Sequence, residues 1–457
     1  MASSSSFDNL ISKTIEIFNI KELKNEQKEI LKASWEGTDC MAVLPTGFGK
    51  SLPYQMLSTM RKLSGETGSK KVVVCTPLLS LMQDQVQRLR LIPDVTALYL
   101  GESSEADREI HHGKFDYLFG SPELLVGSGQ WREVLKTFTV SNIVIDECHT
   151  VISWGEEDKG KAFRKWFSCV GELRALFPSA SVTALSATCK KADYKKIMMS
   201  LNMKPDSKII KMSPNRPNIK LIIKKVNSIE SGFLPLVEAI NEKKMVNSLI
   251  YCSSIKDVSV IYSFLTAEVS QANMFIEMFH SETEEKNKTD IIKKITSKDE
   301  SFIIIATSAL GMGIDICSCH CVIIYGLPYN MVDLWQQIGR VGRDGSTAEA
   351  IFLYRGHQMK SSDVDVKNLY TSATCRRMTA LTPFLTKSEL LLVKSSTGKH
   401  TCCDICTKQC DCNNCVSNPV ETLYIDSEVG SDDSSSSSSG TISYEQDIGD
   451  FSEQEDM

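Results

Sequence analysis

Short apolar runs rich in β-branched residues alternate with longer amphipathic stretches along most of this chain. In its first part such runs lie at residues 72–75, 143–145 and 182–185. Runs of this length, separated by stretches of helical periodicity, are typical of strands buried in a parallel sheet built from β-α-β units. The pattern therefore predicts an α/β domain over residues 15–212, preceded by a flexible N-terminus at residues 1–14.

The same alternation starts again after the proline-flanked segment 214–217. Its predicted strands are Ser248 to Tyr251, Phe302 to Ala306 and Cys321 to Tyr325. Two units of one kind in tandem predict a second α/β domain over residues 213–357.

A different pattern follows this second domain. Residues 358–416 predict a short helical segment that ends in a cluster of cysteines. Residues 417–457 are rich in serine and acidic residues and almost lack large apolar ones. Such a segment cannot bury enough apolar surface to offset its ordering entropy, so it predicts a disordered tail. A solubilising extension is the simpler interpretation of this tail, and phosphorylation of its serines is a hypothesis.

The composition agrees with an intracellular protein of several domains. The length of 457 residues allows roughly three domains, and 42% hydrophobic content is normal for a globular chain. The first residues show no signal peptide, and no run approaches the ~18 apolar residues of a membrane span. Most of the sixteen cysteines stand singly in apolar segments, as buried free thiols do.

The charge is unevenly distributed. The net charge is −6, yet residues 416–457 hold eleven acidic residues and no Lys or Arg. The rest of the chain therefore carries about +5, which is compatible with a nucleic-acid backbone.

The segment from Leu44 to Ser51, LPTGFGKS, has the composition of a phosphate-binding turn. Gly47 and Gly49 allow backbone N–H groups to approach phosphates closely, and the following helix adds its positive N-terminus. Lys50 is predicted to reach the β- and γ-phosphates of ATP, and the Ser51 hydroxyl to hold Mg²⁺.

Two later motifs complete this chemistry. Asp146 and Glu147 follow an apolar predicted strand, at the end where ligands of open α/β sheets bind. Asp146 is the second predicted Mg²⁺ ligand, and Glu147 is the candidate base that aligns water. Arg340 and Arg343 supply positive charge for the transition state of phosphoryl transfer. ATP is thus predicted to bind in the cleft between the two domains.

Several further segments, in this order, resemble the RecQ family of superfamily 2 DNA helicases over roughly residues 18–406. They are Thr76 to Gln85, Ser121 to Glu123, Leu185 to Thr188, Ile250 to Cys252, Ala306 to Asp315 and Gln336 to Gly345. The resemblance implies two tandem RecA-like parallel-sheet domains, a small zinc-binding helical subdomain and ATP-driven movement on DNA.

The resemblance also assigns binding residues. Phe18, Lys24 and Gln27 are similar to the adenine-reading motif of the family, although Ile20 stands where an aromatic residue is usual. The implied nucleotide site further includes Thr46, Asp315 and Gln336. The implied DNA contacts are Gln83 and, in an aromatic-rich loop after His149, the residues Trp154, Phe163 and Arg164. Aromatic faces stack on any base, but packing in the protein core is the alternative role of these rings.

The cysteine cluster is predicted to bind zinc. Cys375 resembles the first ligand of the zinc subdomain of the family, and alignment on Cys403 and Cys406 places His400 as the remaining ligand. These residues make an acceptable Cys₃His set. Cys402 is a competing ligand. The additional thiols, Cys410, Cys412 and Cys415, leave open a second ion, ligand exchange or no metal role.

The expected function is that of an ATP-dependent DNA helicase or translocase that moves 3′ to 5′ on single-stranded DNA and unwinds forked DNA in repair or recombination. Its polarity is implied by the resemblance alone. Two alternatives are an RNA helicase and a non-catalytic nucleic-acid-binding scaffold. Further expectations are a monomer, a nuclear location and no membrane association. The chain stops where many relatives continue into winged-helix and helical DNA-binding domains, so a short form is expected.

Overall fold

Two parallel β-sheets, one in each half of the chain, form the framework of this computed structural model. It describes residues 4–66, 70–155, 164–244, 247–297, 300–310, 316, 318–360 and 362–412. The two sheets confirm the α/β fold of two RecA-like domains expected from the sequence. We call the domains the first lobe (residues 4–212) and the second lobe (residues 213–360).

The sheet of the first lobe has seven strands in the order β3-β4-β2-β5-β6-β1-β7. The paired strands run parallel. Most of their residues are buried, because helices cover both faces of the sheet. The strands are β1 (Cys40–Val43), β2 (Lys71–Cys75), β3 (Ala97–Tyr99), β4 (Tyr117–Gly120), β5 (Val140–Ile145), β6 (Ser181–Ser186) and β7 (Lys208–Lys211).

Helices of the first lobe enclose two apolar cores, one on each face of the sheet. The helices are α1 (Ser4–Ile17), α2 (Asn25–Glu36), α3 (Leu52–Gln55), α4 (Leu57–Leu63), α5 (Leu79–Arg90), α6 (Ser104–His111), α7 (Pro122–Leu125), α8 (Gly129–Leu135), α9 (Thr150–Ser153), α10 (Glu172–Leu176) and α11 (Tyr194–Ser200). A 3₁₀ turn lies at Lys165–Phe167.

The N-terminus differs from the flexible segment predicted for residues 1–14. Residues from Ser4 onward form α1, and its Leu10 and Ile11 are buried in one of the two cores. The apolar side chains of this stretch recur at helical spacing, so the helix buries one face against the lobe. The serine-rich start of the chain hid that pattern.

The sheet of the second lobe has six strands in the order β10-β11-β9-β12-β13-β8. These strands are also parallel. They are β8 (Ile219–Lys225), β9 (Ser248–Cys252), β10 (Ile276–Phe279), β11 (Ile303–Ala306), β12 (Cys321–Tyr325) and β13 (Ala348–Tyr354). The helices are α12 (Ile229–Asn241), α13 (Ile255–Glu268), α14 (Glu285–Thr296) and α15 (Met331–Ile338), with 3₁₀ turns at Ala272–Met274, Ser308–Leu310 and Gly356–Lys360.

A small helical unit, which we call the cysteine subdomain (residues 362–412), packs on the second lobe. Its helices are α16 (Val364–Thr371), α17 (Arg376–Leu381), α18 (Lys387–Ser396), α19 (Lys399–Cys402) and α20 (Asp404–Thr407). Its buried side chains belong to the same apolar core as one face of the second sheet. Cys403 also forms a parallel bridge with Leu221 on the edge strand β8. The subdomain therefore extends the second lobe and does not have a core of its own.

All six strands predicted from apolar runs are present, with ends within a few residues of those predicted. No helix in the described ranges is long and apolar enough to cross a membrane. The predicted tail at residues 417–457 lies outside the described residues.

Candidate active site and metal centre

The phosphate-binding turn links β1 to α3 at the carboxyl edge of the first sheet. Gly47 and Gly49 have φ angles of 77° and 84°, in the left-handed region that other residues rarely adopt. The Leu44 N–H donates to the Ser186 carbonyl at the end of β6, which ties the start of the turn to the sheet. Lys50 is half-buried in this turn.

Gln27 holds the turn from outside. Its side-chain amide donates to the carbonyls of Phe48 and Gly49, both at 3.0 Å, and its Oε1 accepts the Lys24 N–H at 2.9 Å. The Lys24 ammonium lies 4.1 Å from the centre of the Phe48 ring. Two of the three residues of the predicted adenine-reading motif, Lys24 and Gln27, therefore contact the phosphate-binding turn itself.

Asp146 and Glu147 follow β5, separated from β1 in the sheet by β6 alone. Asp146 is 9% exposed and accepts the Glu147 N–H at 2.9 Å. Burial, helped by the neighbouring Glu147 charge, raises the pKa of Asp146 to about 7, while the Lys50 ammonium opposes this shift. Lys50 is thus close enough to act on Asp146 electrostatically. A buried carboxylate with this pKa fits a site that receives a cation.

The raised pKa of Asp146 predicts a pH-dependent stability of the nucleotide-free protein. The folded state keeps the Asp146 proton up to about pH 7, whereas the unfolded chain releases it near pH 4. Stability is therefore lost as pH rises towards 7, and Asp146→Asn should remove this loss. Between pH 6 and pH 8 we expect wild type to lose on the order of 1 kcal/mol more than Asp146→Asn.

Thermal unfolding without nucleotide or divalent cations, at several pH values, measures this difference. Asp290→Asn is the matched control, because the Asp290 side chain is 59% exposed and should leave the pH profile unchanged. Parallel profiles for wild type and Asp146→Asn would contradict the prediction.

His149 connects the acidic motif to both lobes. Its Nδ1 lies 3.0 Å from Ser186 Oγ and 3.4 Å from Glu147 Oε2, and its Nε2 lies 2.9 Å from Gln336 Nε2. Burial lowers the pKa of His149, which favours the neutral ring. Ser186 Oγ donates to the Thr188 carbonyl at 2.8 Å, so it accepts from His149 Nδ1–H.

This order of donors fixes the remaining contact. Since Nδ1 of the neutral ring carries the proton, Nε2 is an acceptor, and the Gln336 amide donates to it. Gln336 belongs to α15 of the second lobe and is 9% exposed. This hydrogen bond therefore joins the arginine-bearing motif of the second lobe to the acidic motif of the first.

A close contact next to Gln336 brings the two lobes together at the phosphate-binding turn. Gly339 approaches Thr46 so closely that a Cβ at this position would overlap Thr46 Oγ1. Arg340, the next residue, is 5% exposed, and Arg343 is half-buried, with its Nε 3.3 Å from the Gly339 carbonyl. The predicted arginines thus lie on the loop that faces the phosphate-binding turn.

A cleft of about 570 Å³ is lined by residues of both lobes. The first lobe contributes Leu78 and Trp154 to its lining, and the second lobe contributes Thr307, Tyr329 and Gln336, among others. Trp154 and the 60% exposed Tyr329 offer aromatic surface to this cleft. Gln336 therefore contacts both the cleft and His149.

Arg164 fixes the aromatic-rich loop. Its guanidinium binds both Glu123 carboxylate oxygens at 2.7 Å and donates to the Pro77 carbonyl at 2.7 Å. It also lies 5.7 Å from the centre of the Trp154 ring. These contacts give Arg164 a role in positioning Trp154. Its DNA contact stays a prediction, as does that of Gln83, which is exposed on α5.

Two predicted site residues fall outside the described ranges. They are Phe163 of the aromatic-rich loop and Asp315 of the nucleotide site. Their assignments stay predictions from the resemblance.

Four cysteines of the cysteine subdomain form a compact cluster. The sulfurs of Cys375, Cys402, Cys403 and Cys406 all lie within 4.8 Å of one another, and those of Cys375 and Cys402 are 3.4 Å apart. Zn–S bonds of about 2.3 Å in a tetrahedron place sulfurs about 3.8 Å apart. Hydrogen bonds from the Cys375 and Cys402 thiols lower the pKa of Cys403, which favours the thiolate that a metal needs. This donor set fits zinc.

The cluster corrects one predicted ligand. Cys375, Cys403 and Cys406 come together as expected, but Cys402 takes the place assigned to His400. The two residues lie two positions apart on the single turn of α19, so their side chains point to opposite sides. Cys402 is buried, whereas His400 is exposed and lies beside Cys410 and Cys412.

Arg377 supports the cluster, a role that sequence reasoning missed. It is fully buried, and its guanidinium donates to the Asn215 side chain at 2.8 Å and to the carbonyls of Arg216, at 2.9 Å, and Cys402, at 3.1 Å. It also donates to the Ile219 carbonyl. Arg377 thus joins the segment before β8 to a cluster cysteine. The only indication of this role in the sequence was that Arg377 lies two residues after Cys375.

Two protein families match the two lobes. Residues 24–197 match the DEAD/DEAH box helicase family, and residues 231–345 match the helicase conserved C-terminal domain. The first match contains the phosphate-binding turn and the acidic motif, and the second contains the arginine motif. The fold and the site therefore define a helicase with two RecA-like domains.

Similarity to curated proteins indicates the particular family. The chain is 28% identical over 427 residues to the ATP-dependent DNA helicase RecQ of Haemophilus influenzae, which covers 87% of this chain and 62% of that protein. It is 30% identical over 342 residues to the probable ATP-dependent DNA helicase RecS of Bacillus subtilis, covering 74% and 65% of the two chains. Both relatives are ATP-dependent DNA helicases by name, the first of them RecQ, and the chain is similar to them over most of its length. In each of these matches the chain spans less than two thirds of the relative.

Solved structures support the fold at lower identity. Dbp5 of S. cerevisiae, bound to RNA and ADP BeF3, has a TM-score of 0.62 at 18% identity, covering 81% of this chain and 94% of that one. Helicase Lhr of Mycobacterium smegmatis, bound to single-stranded DNA and AMP-PNP, has a TM-score of 0.59 at 18% identity, covering 78% and 49%. At this identity the likeness concerns the fold alone.

Proposed function

We propose that the protein is an ATP-dependent DNA helicase that moves 3′ to 5′ along single-stranded DNA and unwinds forked duplexes. The observation that carries this proposal is the contact between the lobes. Gln336 bonds to His149, and Gly339 packs against Thr46, so residues of both lobes line one nucleotide site. Opening and closing of that site can then move the lobes relative to each other.

ATP binds, in this proposal, with its phosphates in the turn from Gly47 to Ser51. Backbone N–H groups of the turn and the Lys50 ammonium hold the β- and γ-phosphates. Glu147 orients the attacking water, and Arg340 and Arg343 stabilise the charge that redistributes in the transition state. Lys24 and Gln27 bind adenine in this proposal, and Gln27 also donates hydrogen bonds to the same turn. Binding of the base and the conformation of the turn are therefore linked.

Mg²⁺ would be held by Ser51 and Asp146. The raised pKa of Asp146 supports this assignment, because a divalent cation restores the carboxylate charge that burial disfavours. The ion supplies neutralisation of the phosphate charge when it is bound. Asp146 then provides a carboxylate at the end of β5. The hydrogen bond from the Glu147 N–H orients this carboxylate.

The cleft lined by Leu78, Trp154, Thr307 and Tyr329 is the proposed path of single-stranded DNA. Aromatic side chains stack on bases of any sequence, as a moving motor requires. Gln336 borders this cleft and bonds to His149 beside Glu147. DNA in the cleft can therefore affect hydrolysis through this side chain.

Gln336→Ala tests that link between the cleft and the acidic motif. It removes the amide that donates to His149 Nε2, so we expect DNA-stimulated ATP turnover to fall about 10- to 100-fold, the effect of about 1.4 to 2.7 kcal/mol. Turnover without DNA should also fall, because Gln336 belongs to the implied nucleotide site, but by a smaller factor. Steady-state hydrolysis with and without single-stranded DNA measures both rates.

Gln337→Ala is the matched control for this experiment. Gln337 is the next residue on α15 and also lines the cleft, but no hydrogen bond of its side chain with His149 is present in the described structure. Equal losses in both variants would mean that the glutamine pair contributes to the cleft in general and that the His149 bond has no special role.

Unwinding of forked DNA tests the function as a whole. Substrates with a 3′ or a 5′ single-stranded arm, and a matched RNA fork, are compared while ATP consumption is followed. The proposal expects unwinding from the 3′ arm of DNA. Stimulation by RNA alone would favour an RNA helicase, and nucleic-acid binding without ATP turnover would favour a non-catalytic scaffold.

Action on DNA in repair or recombination also motivates a nuclear location, which the acidic serine-rich C-terminal sequence favours. A monomer is the simplest state for the motor, because both lobes of the nucleotide site come from one chain. Fluorescent tagging and light scattering test these two points.

A further inference from the structure

A second group of metal-ligating side chains lies at the end of the cysteine subdomain, outside the four-cysteine cluster. Cys410 Sγ and Cys412 Sγ are 3.9 and 3.8 Å from His400 Nδ1, and 3.2 Å from each other. All three ligand atoms lie within 4.8 Å of one another. None of these residues belongs to the first cluster.

From this geometry we propose a second zinc-type site formed by His400, Cys410 and Cys412. One imidazole and two thiolates are donors that Zn²⁺ and similar soft divalent ions prefer. Bonds of about 2.3 Å to sulfur and 2.0–2.1 Å to nitrogen place S and N about 3.6 Å apart in a tetrahedron, close to the distances present. The fourth position is open to water or another donor.

Apolar packing does not explain why these residues meet. His400 and Cys412 are exposed, as are Lys408, Gln409 and Asp411 between the ligands. The polar contacts of this turn are few: the Gln409 and Cys410 N–H groups donate to the Cys406 and Thr407 carbonyls, and Thr407 Oγ1 donates to the His400 carbonyl at 3.3 Å. The Lys399 side chain donates to the Gln409 carbonyl at 3.1 Å and lies 4.0 Å from Asp411. Burial contributes little to the stability of this region. In this proposal the metal ion joins α19 to the turn after α20.

The two sites differ in exposure. In the first cluster Cys402 and Cys403 are 5% and 0% exposed, whereas two of the three ligands in the second site are open to solvent. A chelator should therefore remove the second ion faster than the first. Cys415 follows close by in the sequence but lies outside the described residues, and the proposed site does not depend on it.

Metal stoichiometry of the full chain tests the proposal. Protein purified under reducing conditions and equilibrated with Zn²⁺, then freed of excess ion, should hold two equivalents. The double variant His400→Ala/Cys412→Ser should hold one and keep the thermal stability of the lobes. Cys169→Ser, which removes a half-buried thiol of the first lobe, should still hold two.

Substitution by Co²⁺ gives an independent readout. Thiolate-to-cobalt absorption should fall by roughly one third in the double variant, because two of six ligating thiolates are lost. One equivalent of zinc in wild type, unchanged in the double variant, would overturn the second site. Because neither readout involves ATP or DNA, this result is independent of the helicase proposal.

Discussion

Lys50→Ala is expected to abolish ATP hydrolysis, with a fall of at least about 1,000-fold, while the zinc content stays unchanged. Lys50 lies in the turn between β1 and α3, and its charge acts on Asp146 and His149. The variant therefore removes the ammonium predicted to hold the β- and γ-phosphates, whereas the four-cysteine cluster lies in a different part of the chain. Steady-state turnover with single-stranded DNA and elemental analysis measure the two properties.

Lys136→Ala is the matched control for this variant. Lys136 is the C-cap residue that follows the surface helix α8, its side chain is 51% exposed, and it pairs with Glu133. Its loss should leave turnover within about twofold, since exposed ion pairs contribute little. Undiminished turnover in Lys50→Ala would refute the assignment of the phosphate-binding turn. Loss of zinc in the same variant would show that the substitution had damaged the fold.

Arg377→Met is expected to destabilise the second lobe and the cysteine subdomain by about 3–5 kcal/mol and to lower zinc occupancy. The side chain is fully buried and donates to Asn215 and to the carbonyls of Arg216, Ile219 and Cys402. Methionine fills a similar volume but leaves these acceptors without their donor. Since Cys402 belongs to the cluster, the metal ligands lose part of their support.

Chemical denaturation and zinc analysis, with Arg376→Met as control, test this expectation. Arg376 is the adjacent residue and also bonds within the subdomain, to Asp404 at 3.3 Å and to the Leu369 carbonyl. Its side chain is 12% exposed, so its loss should have a smaller effect, about 1–2 kcal/mol. Equal destabilisation by the two variants would mean that the contacts of Arg377 have no special importance.

The strands illustrate what short apolar runs can predict. Each run that was interpreted as a strand lies in one of the two sheets, since a strand covered by helices on both faces needs apolar residues at almost every position. Edge strands were harder to find. β7, with the pattern KIIK, is largely exposed, and a half-exposed strand does not show a continuous apolar run.

The residues of the candidate site also fall into those that the sequence predicts and those that it does not. Gly47, Gly49 and Lys50 were found because phosphate binding requires particular residues at fixed local spacing, and that spacing is visible in the sequence. The wrong assignment of His400 arose where spacing alone was used for ligands on a single helical turn. Which side of α19 faces the cluster depends on how the subdomain packs against β8.

The sequence by itself determined the two α/β lobes, the order of the motifs and the residue types of the phosphate and metal chemistry, because these depend on periodicity and on local spacing. Only the tertiary structure decided that Gln336 bonds to His149, that Gly339 packs against Thr46, and that Arg377 holds the Cys402 carbonyl. These partners are far apart in the chain, and side-chain direction and packing bring them together. No local pattern encodes a contact of that kind.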